Sequence, residues 1–106
     1  MSILLAEKLL GIWITDPEEI SLGAKKEMMH FMADGRITYT VIGQGKMFLT
    51  YRVEEDILIT DQPSEPREER TKFHITPDDK LLLDYQGKIG KFVRGYLSAP
   101  HNLFQG

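Results

Sequence analysis

Apolar and polar residues alternate along most of this chain from residue 11 onward, a pattern that predicts short β-strands rather than helices. In residues 36–42, for example, Ile37, Tyr39 and Val41 are separated by threonines. Such alternation is typical of a strand with one face in the core and the other in water. Turn-forming residues interrupt the pattern repeatedly. The predicted strands are residues 11–15, 27–33, 36–42, 46–53, 57–60, 70–76, 80–85 and 88–96.

Helical patterns are confined to the first quarter of the chain. Residues 3–10 have the apolar spacing of a two-turn helix, with Ser2 as its N-cap and Gly11 beyond its end. The segment Asp16-Pro17-Glu18-Glu19 has a capping residue, a proline and acids in the order that starts a helix. The apolar run after it is short, so we expect a single turn or a loop there.

The turns decide how the strands connect. Asp34-Gly35 predicts a two-residue hairpin, and Gly43-Gln44-Gly45 predicts another reversal. Eight strands joined this way either leave two free edges or close on themselves, and closure removes the edges. The sequence therefore predicts an all-β fold, an eight-stranded antiparallel up-and-down meander barrel. A sandwich of two sheets is the alternative. We expect one domain over residues 1–106, with residues 97–106 as a loose C-terminal tail.

Composition narrows the function classes. With 42% apolar residues in a 106-residue chain, a real core can form. The net charge is −3 and no run of Lys or Arg exceeds two residues, which argues against a nucleic-acid or membrane partner. There is no cysteine, hence no disulfide or thiolate chemistry. The N-terminus has no basic start and its apolar run is interrupted by Glu7 and Lys8, so we expect a soluble, cytoplasmic protein that needs no cofactor.

A short helix leading into Gly11-x-Trp13, followed by an eight-strand meander with Arg94 on the last strand, resembles the lipocalins and their wider relatives, the calycins. The resemblance implies that Trp13 plugs the closed end of a barrel and that Arg94 lies across its ring, a structural closure to which Gly11 belongs. It also implies an interior that binds a small molecule. Without a cysteine pair or a secretory signal, the chain is most similar to the small intracellular bacterial lipocalin-like domains.

The leading functional hypothesis is non-catalytic binding of a small apolar or amphipathic molecule inside the barrel. Its site would consist of apolar walls with a few polar groups that fix the orientation of the ligand. The alternative is that the same side chains simply fill the core. The predicted inward residues of neighbouring strands are Met28, His30, Met32, Tyr39, Met47, Leu49 and Tyr51.

Two other function classes stay open at this point. A filled barrel could act as an interaction or homodimerisation module through an outer patch of Met29, Phe31 and Phe48. A small isomerase or hydrolase could use His30 with a tyrosine in a cleft. No catalytic residue set or nucleophile elbow is recognisable. The three histidines do not have the spacing of a zinc site, so no metal is expected.

The longest break in the alternation is residues 61–70, which contain two prolines and several charges. Prolines stiffen such a segment and charges keep it at the surface, which predicts a solvated connector between strands five and six. A lid beside a barrel mouth, or a contact for a partner protein, is the alternative. If Arg67 or Arg70 reached the interior, an anionic ligand would be expected.

Overall fold

The computed structural model describes residues 2–95, with side chains from residue 5 onward, as a closed antiparallel β-barrel. Each strand pairs with the next, and β1 pairs with β8 to close the ring. The strands are β1 (Gly11–Thr15), β2 (Glu27–Phe31), β3 (Arg36–Val41), β4 (Gly45–Glu54), β5 (Ile57–Asp61), β6 (Glu69–Ile75), β7 (Lys80–Tyr85) and β8 (Lys88–Gly95). Helix α1 (Ser2–Leu9) precedes the barrel and α2 (Pro17–Ser21) follows β1.

The predicted fold class is confirmed, because the eight strands form a closed meander barrel with a short N-terminal helix. The predicted bounds differ from the observed ones by one or two residues at strand ends. Helix α2 has Asp16 as its N-cap, whose side chain accepts from the Glu18 amide at 2.8 Å. The predicted loose tail, residues 97–106, lies outside the described residues.

The antiparallel order gives the barrel two chemically different ends. At the closed end lie α1, the β2–β3 hairpin and the β4–β5 and β6–β7 turns. At the opposite end, the mouth, lie α2 and the β3–β4, β5–β6 and β7–β8 connections. Helix α1 contacts β4 and places Leu9, which is fully buried, against the core. The closed end is thus covered by the chain segment that immediately precedes β1.

The barrel interior is filled from the closed end upward by large apolar side chains. Burial of this kind is the dominant favourable contribution to folding. Phe31 and Tyr51 meet edge to face in this layer, with ring centroids 5.2 Å apart. The buried cluster comprises Leu9, Trp13, Met29, Phe31, Ile37, Leu58, Phe73, Leu81, Leu83 and Phe92.

One prediction about strand faces is wrong. On β2 it is Met29 and Phe31 that face the interior, at 6% and 1% exposure, rather than Met28, His30 and Met32. The β2–β3 hairpin is the reason: the Met32 amide donates to the Arg36 carbonyl at 2.8 Å, which leaves three loop residues instead of two. Gly35 takes the left-handed conformation that such a loop requires, at φ +88°. A shift of one residue in register moves every side chain of a strand to the other face.

Candidate functional site

The closed end is organised around Trp13 and Arg94. Trp13 is fully buried, and its indole Nε1 donates to the Leu9 carbonyl at 2.9 Å. The guanidinium carbon of Arg94 lies 3.9 Å from the centroid of the Trp13 ring. The two residues are direct partners in the β1–β8 pairing. The contact expected from the lipocalin resemblance is therefore present in the structure, at the seam that closes the barrel.

Arg94 also binds the end of α1. Its Nη1 and Nη2 donate to the carbonyls of Leu10 and Lys8, each at 2.6 Å, and its Nε donates to Asp79 at 3.0 Å. The last carbonyls of a helix have no partner within the helix, and a cation near them is favourable. At Gly11, φ is +111° and an added Cβ would lie 3.2 Å from Arg94 Nη1, so both conformation and space favour glycine here. These contacts are structural.

The barrel opens at the mouth into a cavity of about 430 Å³. Its floor and walls are mostly apolar, whereas its rim carries hydroxyl, amide and charged groups. That distribution is typical of sites for small molecules. The apolar lining consists of Met29, Phe31, Ile37, Met47, Leu49, Leu58 and Leu83. The polar lining consists of Glu27, Tyr39, Thr60, Asp61, Gln62, Arg67, Glu69, Thr71 and Tyr85.

The structure brings together only some of the predicted site residues. Tyr39, Met47 and Leu49 line the cavity as predicted. Tyr51 points inward but packs below the cavity, where its hydroxyl donates to the Met32 carbonyl at 2.9 Å. The remaining predicted residues, Met28, His30 and Met32, are half-exposed and do not line the cavity.

Two polar residues outside the predicted site stand out in the cavity wall. Glu27 opens β2 on the same face as Met29, and Tyr85 ends β7 on the same face as Leu83. The β2 pattern would have predicted an inward Glu27 only if the length of the β2–β3 loop had been known, because that length sets the register and hence the face on which Glu27 lies. Both line a second depression of about 530 Å³ between the α2–β2 loop and β8. They therefore lie where the two openings at the mouth meet.

The two tyrosines at the mouth, Tyr39 and Tyr85, have raised pKa values. Burial raises the pKa of Tyr39 to about 12, and the nearby charge of Glu27 and a hydrogen bond to it add to the effect. The pKa of Tyr85 is also raised, mainly by desolvation and to a smaller extent by electrostatic interaction with Glu27 and Tyr39. Loss of the proton would place a second negative charge beside the Glu27 carboxylate. Both hydroxyls are therefore neutral donors at ordinary pH.

Of the two arginines on which the anionic-ligand hypothesis depends, Arg67 lines the cavity and Arg70 does not. Arg67 lies at the cavity rim, but its side chain is 78% exposed and its Nε pairs with Glu69 at 3.3 Å. Arg70 pairs with Glu54 and Glu68, and it is not part of the cavity lining. An anionic ligand would have to compete with Glu69 for the Arg67 guanidinium.

The histidines of the described chain do not lie in the cavity. His30 and His74 do not line it, and within residues 2–95 no group of three or more His, Asp or Glu side chains could hold a metal ion. Over the same residues, no helix is long and apolar enough to cross a membrane.

Comparison with known proteins places the chain in no family. No protein-family model matches its sequence, and no curated protein matches it significantly. The barrel, its closed end and the cavity at its mouth are therefore the features from which a function can be inferred.

Proposed function

We propose that the protein is a lipocalin-like barrel that binds one small apolar or amphipathic molecule in the cavity at its mouth, without chemical conversion. The observation that carries the proposal is the cavity itself. Its volume of about 430 Å³ falls within the roughly 300–1,000 Å³ of typical ligand sites. The Trp13–Arg94 contact at the other end supports the assignment, since it accounts for how one end is sealed while the other stays open.

The chemistry of the lining sets the ligand class. The floor consists of aliphatic, aromatic and thioether side chains, among them Phe31, Leu58 and Leu83, which favour an apolar body. Methionines at 29 and 47 add adaptable surface, because their thioether chains adjust to irregular shapes. The hydroxyls of Tyr39 and Thr60 lie nearer the rim and would orient a polar end.

Native mass spectrometry of the protein purified from its own host tests the proposal directly. We expect an additional mass that persists under gentle ionisation and is lost on denaturation, which would also identify the ligand class. A parallel measurement uses a neutral fluorescent probe, N-phenyl-1-naphthylamine, whose emission rises when it enters an apolar cavity. Absence of both the extra mass and probe binding would count against a ligand-binding interior.

Two adjacent residues of β4 provide a matched pair of variants for the probe measurement. Leu49 lines the cavity, whereas Phe48 points outward and is 66% exposed. We expect Leu49→Trp to fill the cavity and weaken probe binding by roughly tenfold or more, because steric overlap in a packed site is costly. Phe48→Trp should leave binding unchanged. Equal effects of the two substitutions would mean that the probe does not bind inside the barrel.

A second candidate function, protein interaction or homodimerisation, is favoured by exposed apolar residues around the mouth. The anticipated patch is not formed as such, because Met29 and Phe31 are buried; only Phe48 of that set is exposed. Within the described chain, the exposed large apolar residues are Ile20, Leu22, Ile42, Met47, Phe48, Tyr85 and Ile89. Sedimentation velocity over a range of concentrations tests this function: a dimer that Phe48→Ser converts to monomer would support it.

A further inference from the structure

We propose that the ligand carries a cationic group, as in an alkyl or aryl amine, and that Glu27 binds this group at the mouth while the apolar part occupies the cavity below. The inference rests on the proposed function, because it names the chemical class of molecule that the same cavity takes. It predicts a head group of opposite sign to the one that the arginines of residues 61–70 suggest from sequence.

Glu27 is held firmly at the cavity wall. Its backbone amide donates to Thr15 Oγ1 at 2.8 Å, and its strand pairs with β3 from Glu27 to Phe31. The residue is only partly exposed, and it lines both the cavity and the neighbouring depression. Within the described part of the chain, no Lys, Arg or His side chain lies within 4.0 Å of its carboxylate, so the charge is left for a ligand.

The other charges of the cavity lining leave this carboxylate unmatched. The lining contains three carboxylates, Glu27, Asp61 and Glu69, and a single cation, Arg67. The Arg67 side chain forms an ion pair with Glu69, with Nε and Oε2 3.3 Å apart. Its backbone amide donates to Asp61 Oδ1 at 2.8 Å. A partly desolvated carboxylate attracts a cation more strongly than one in bulk water. A ligand cation at Glu27 would therefore reduce the net negative charge of the lining from −2 to −1.

Two tyrosines beside Glu27 suit the same kind of group. Tyr39 and Tyr85 both line the cavity, and the charge of Glu27 acts on the hydroxyls of both. Aromatic faces attract cations, and neutral phenol oxygens can accept hydrogen bonds from an ammonium group. Because both tyrosines stay protonated at ordinary pH, they add no competing negative charge. A primary ammonium group would thus meet one carboxylate and two aromatic side chains.

Three lysines share the second depression with Glu27. Lys25, Lys88 and Lys91 line it, and Lys91 is directed to Glu18, with Nζ and Oε1 4.0 Å apart. None of them lines the cavity, whose cationic lining is limited to Arg67. If these lysines rather than Glu27 controlled the entrance, an anionic ligand would bind better than a cationic one, which gives the test its opposing outcome.

The experiment compares three probes with the same chain and different head groups, octylamine, octan-1-ol and octanoate, by isothermal titration calorimetry at pH 7. We expect octylamine to bind more tightly than octan-1-ol by about tenfold or more, because it would gain one ion pair and a contribution from the aromatic rings. Octan-1-ol should still bind, since the apolar chain is common to all three. Added salt should reduce the advantage of the amine.

Two isosteric variants locate the effect. Glu27→Gln should remove the advantage of octylamine while leaving octan-1-ol affinity unchanged. Glu65→Gln, which removes the same charge from an exposed loop residue outside the cavity lining, should retain it. Circular dichroism verifies that both variants are folded.

The outcomes separate this inference from the proposed function. If octan-1-ol or octanoate binds as tightly as octylamine, or if Glu27→Gln keeps the preference, the cationic head group is wrong but a ligand-binding barrel stands. If none of the three probes binds, both the cationic ligand and the proposed function are overturned.

Discussion

The two ends of the barrel differ in how their polar groups are used. At the closed end, Arg94 places all three of its guanidinium nitrogens on protein acceptors and its face on Trp13. At the mouth, Glu27 has no cation within ion-pairing distance among the described residues. Phe48 and Ile42 there are more than half exposed. The Arg94 guanidinium is thus matched within the chain, whereas the Glu27 carboxylate has no cationic partner among the described residues, and the proposed ligand would supply one.

This contrast predicts that stability depends mainly on the closed end and the proposed binding on the mouth. Buried polar groups that find partners within the fold stabilise it, whereas a partly buried charge without a counter-ion carries a desolvation cost that a cationic ligand would offset. Substitutions at the closed end should therefore lower the free energy of unfolding with little effect on ligand selectivity. Substitutions at the mouth should do the reverse. The following predictions test this separation, beginning with the largest effect.

Replacing the buried indole should have the largest effect on stability. Trp13 is completely buried, so Trp13→Ala should lower the free energy of unfolding by about 3–5 kcal/mol through lost apolar contacts and the cavity left behind. Trp13 is the only tryptophan of the chain, so the variant has no tryptophan fluorescence. The free energy of unfolding is therefore measured by urea titration monitored by circular dichroism. As a control, Phe48→Ala at an exposed position should change stability by no more than about 0.5 kcal/mol. Similar losses for both would show that the closed end is not the stabilising region.

Removing the guanidinium should have an intermediate effect. Arg94→Met keeps much of the side-chain volume but leaves the Lys8 and Leu10 carbonyls without charged donors, which should cost about 2–3 kcal/mol of unfolding free energy. Arg94→Lys should restore only part of it, since an ammonium cannot reproduce the planar fork.

The matched control for Arg94 is Arg36→Met. The Arg36 side chain is 70% exposed and pairs with Asp34, and a surface pair of this kind contributes about 0–1 kcal/mol. The folded Arg94→Met variant should bind N-phenyl-1-naphthylamine as the unmodified protein does. A loss of probe affinity would break the separation between the two ends.

The smallest effect concerns the mouth and is visible only in alkali. The pKa of Tyr39 is raised from 10.0 to about 12 in the folded protein, so the unfolded chain loses this proton first. Its contribution to the free energy of unfolding is complete below pH 10.0 and declines as the pH rises to about 12. Tyr39→Phe should make the alkaline loss of stability less steep, with little change at pH 7. An identical pH profile for the two proteins would contradict the raised pKa.

Much of the architecture follows from local chemistry. Alternation along β3 and β4 gave correct inward residues, among them Tyr39 and Leu49. Asp16-Pro17 gave the short α2 helix. These features are local or repeat with a fixed period, so one sequence is enough to find them. The Trp13–Arg94 contact joins the first strand to the last and was expected only from the lipocalin resemblance.

The sequence by itself determined that eight alternating strands would form, and it favoured closure over a two-sheet sandwich because closure removes the free edges. It did not determine which face of β2 is inside. Residues 28–32 are apolar or aromatic at nearly every position, so both faces suit a core, and the third loop residue of the hairpin selects between them. That register also turns Glu27 toward the cavity. The chemistry of the mouth was thus decided by strand pairing in the tertiary structure, through hydrogen bonds that join residues from different strands.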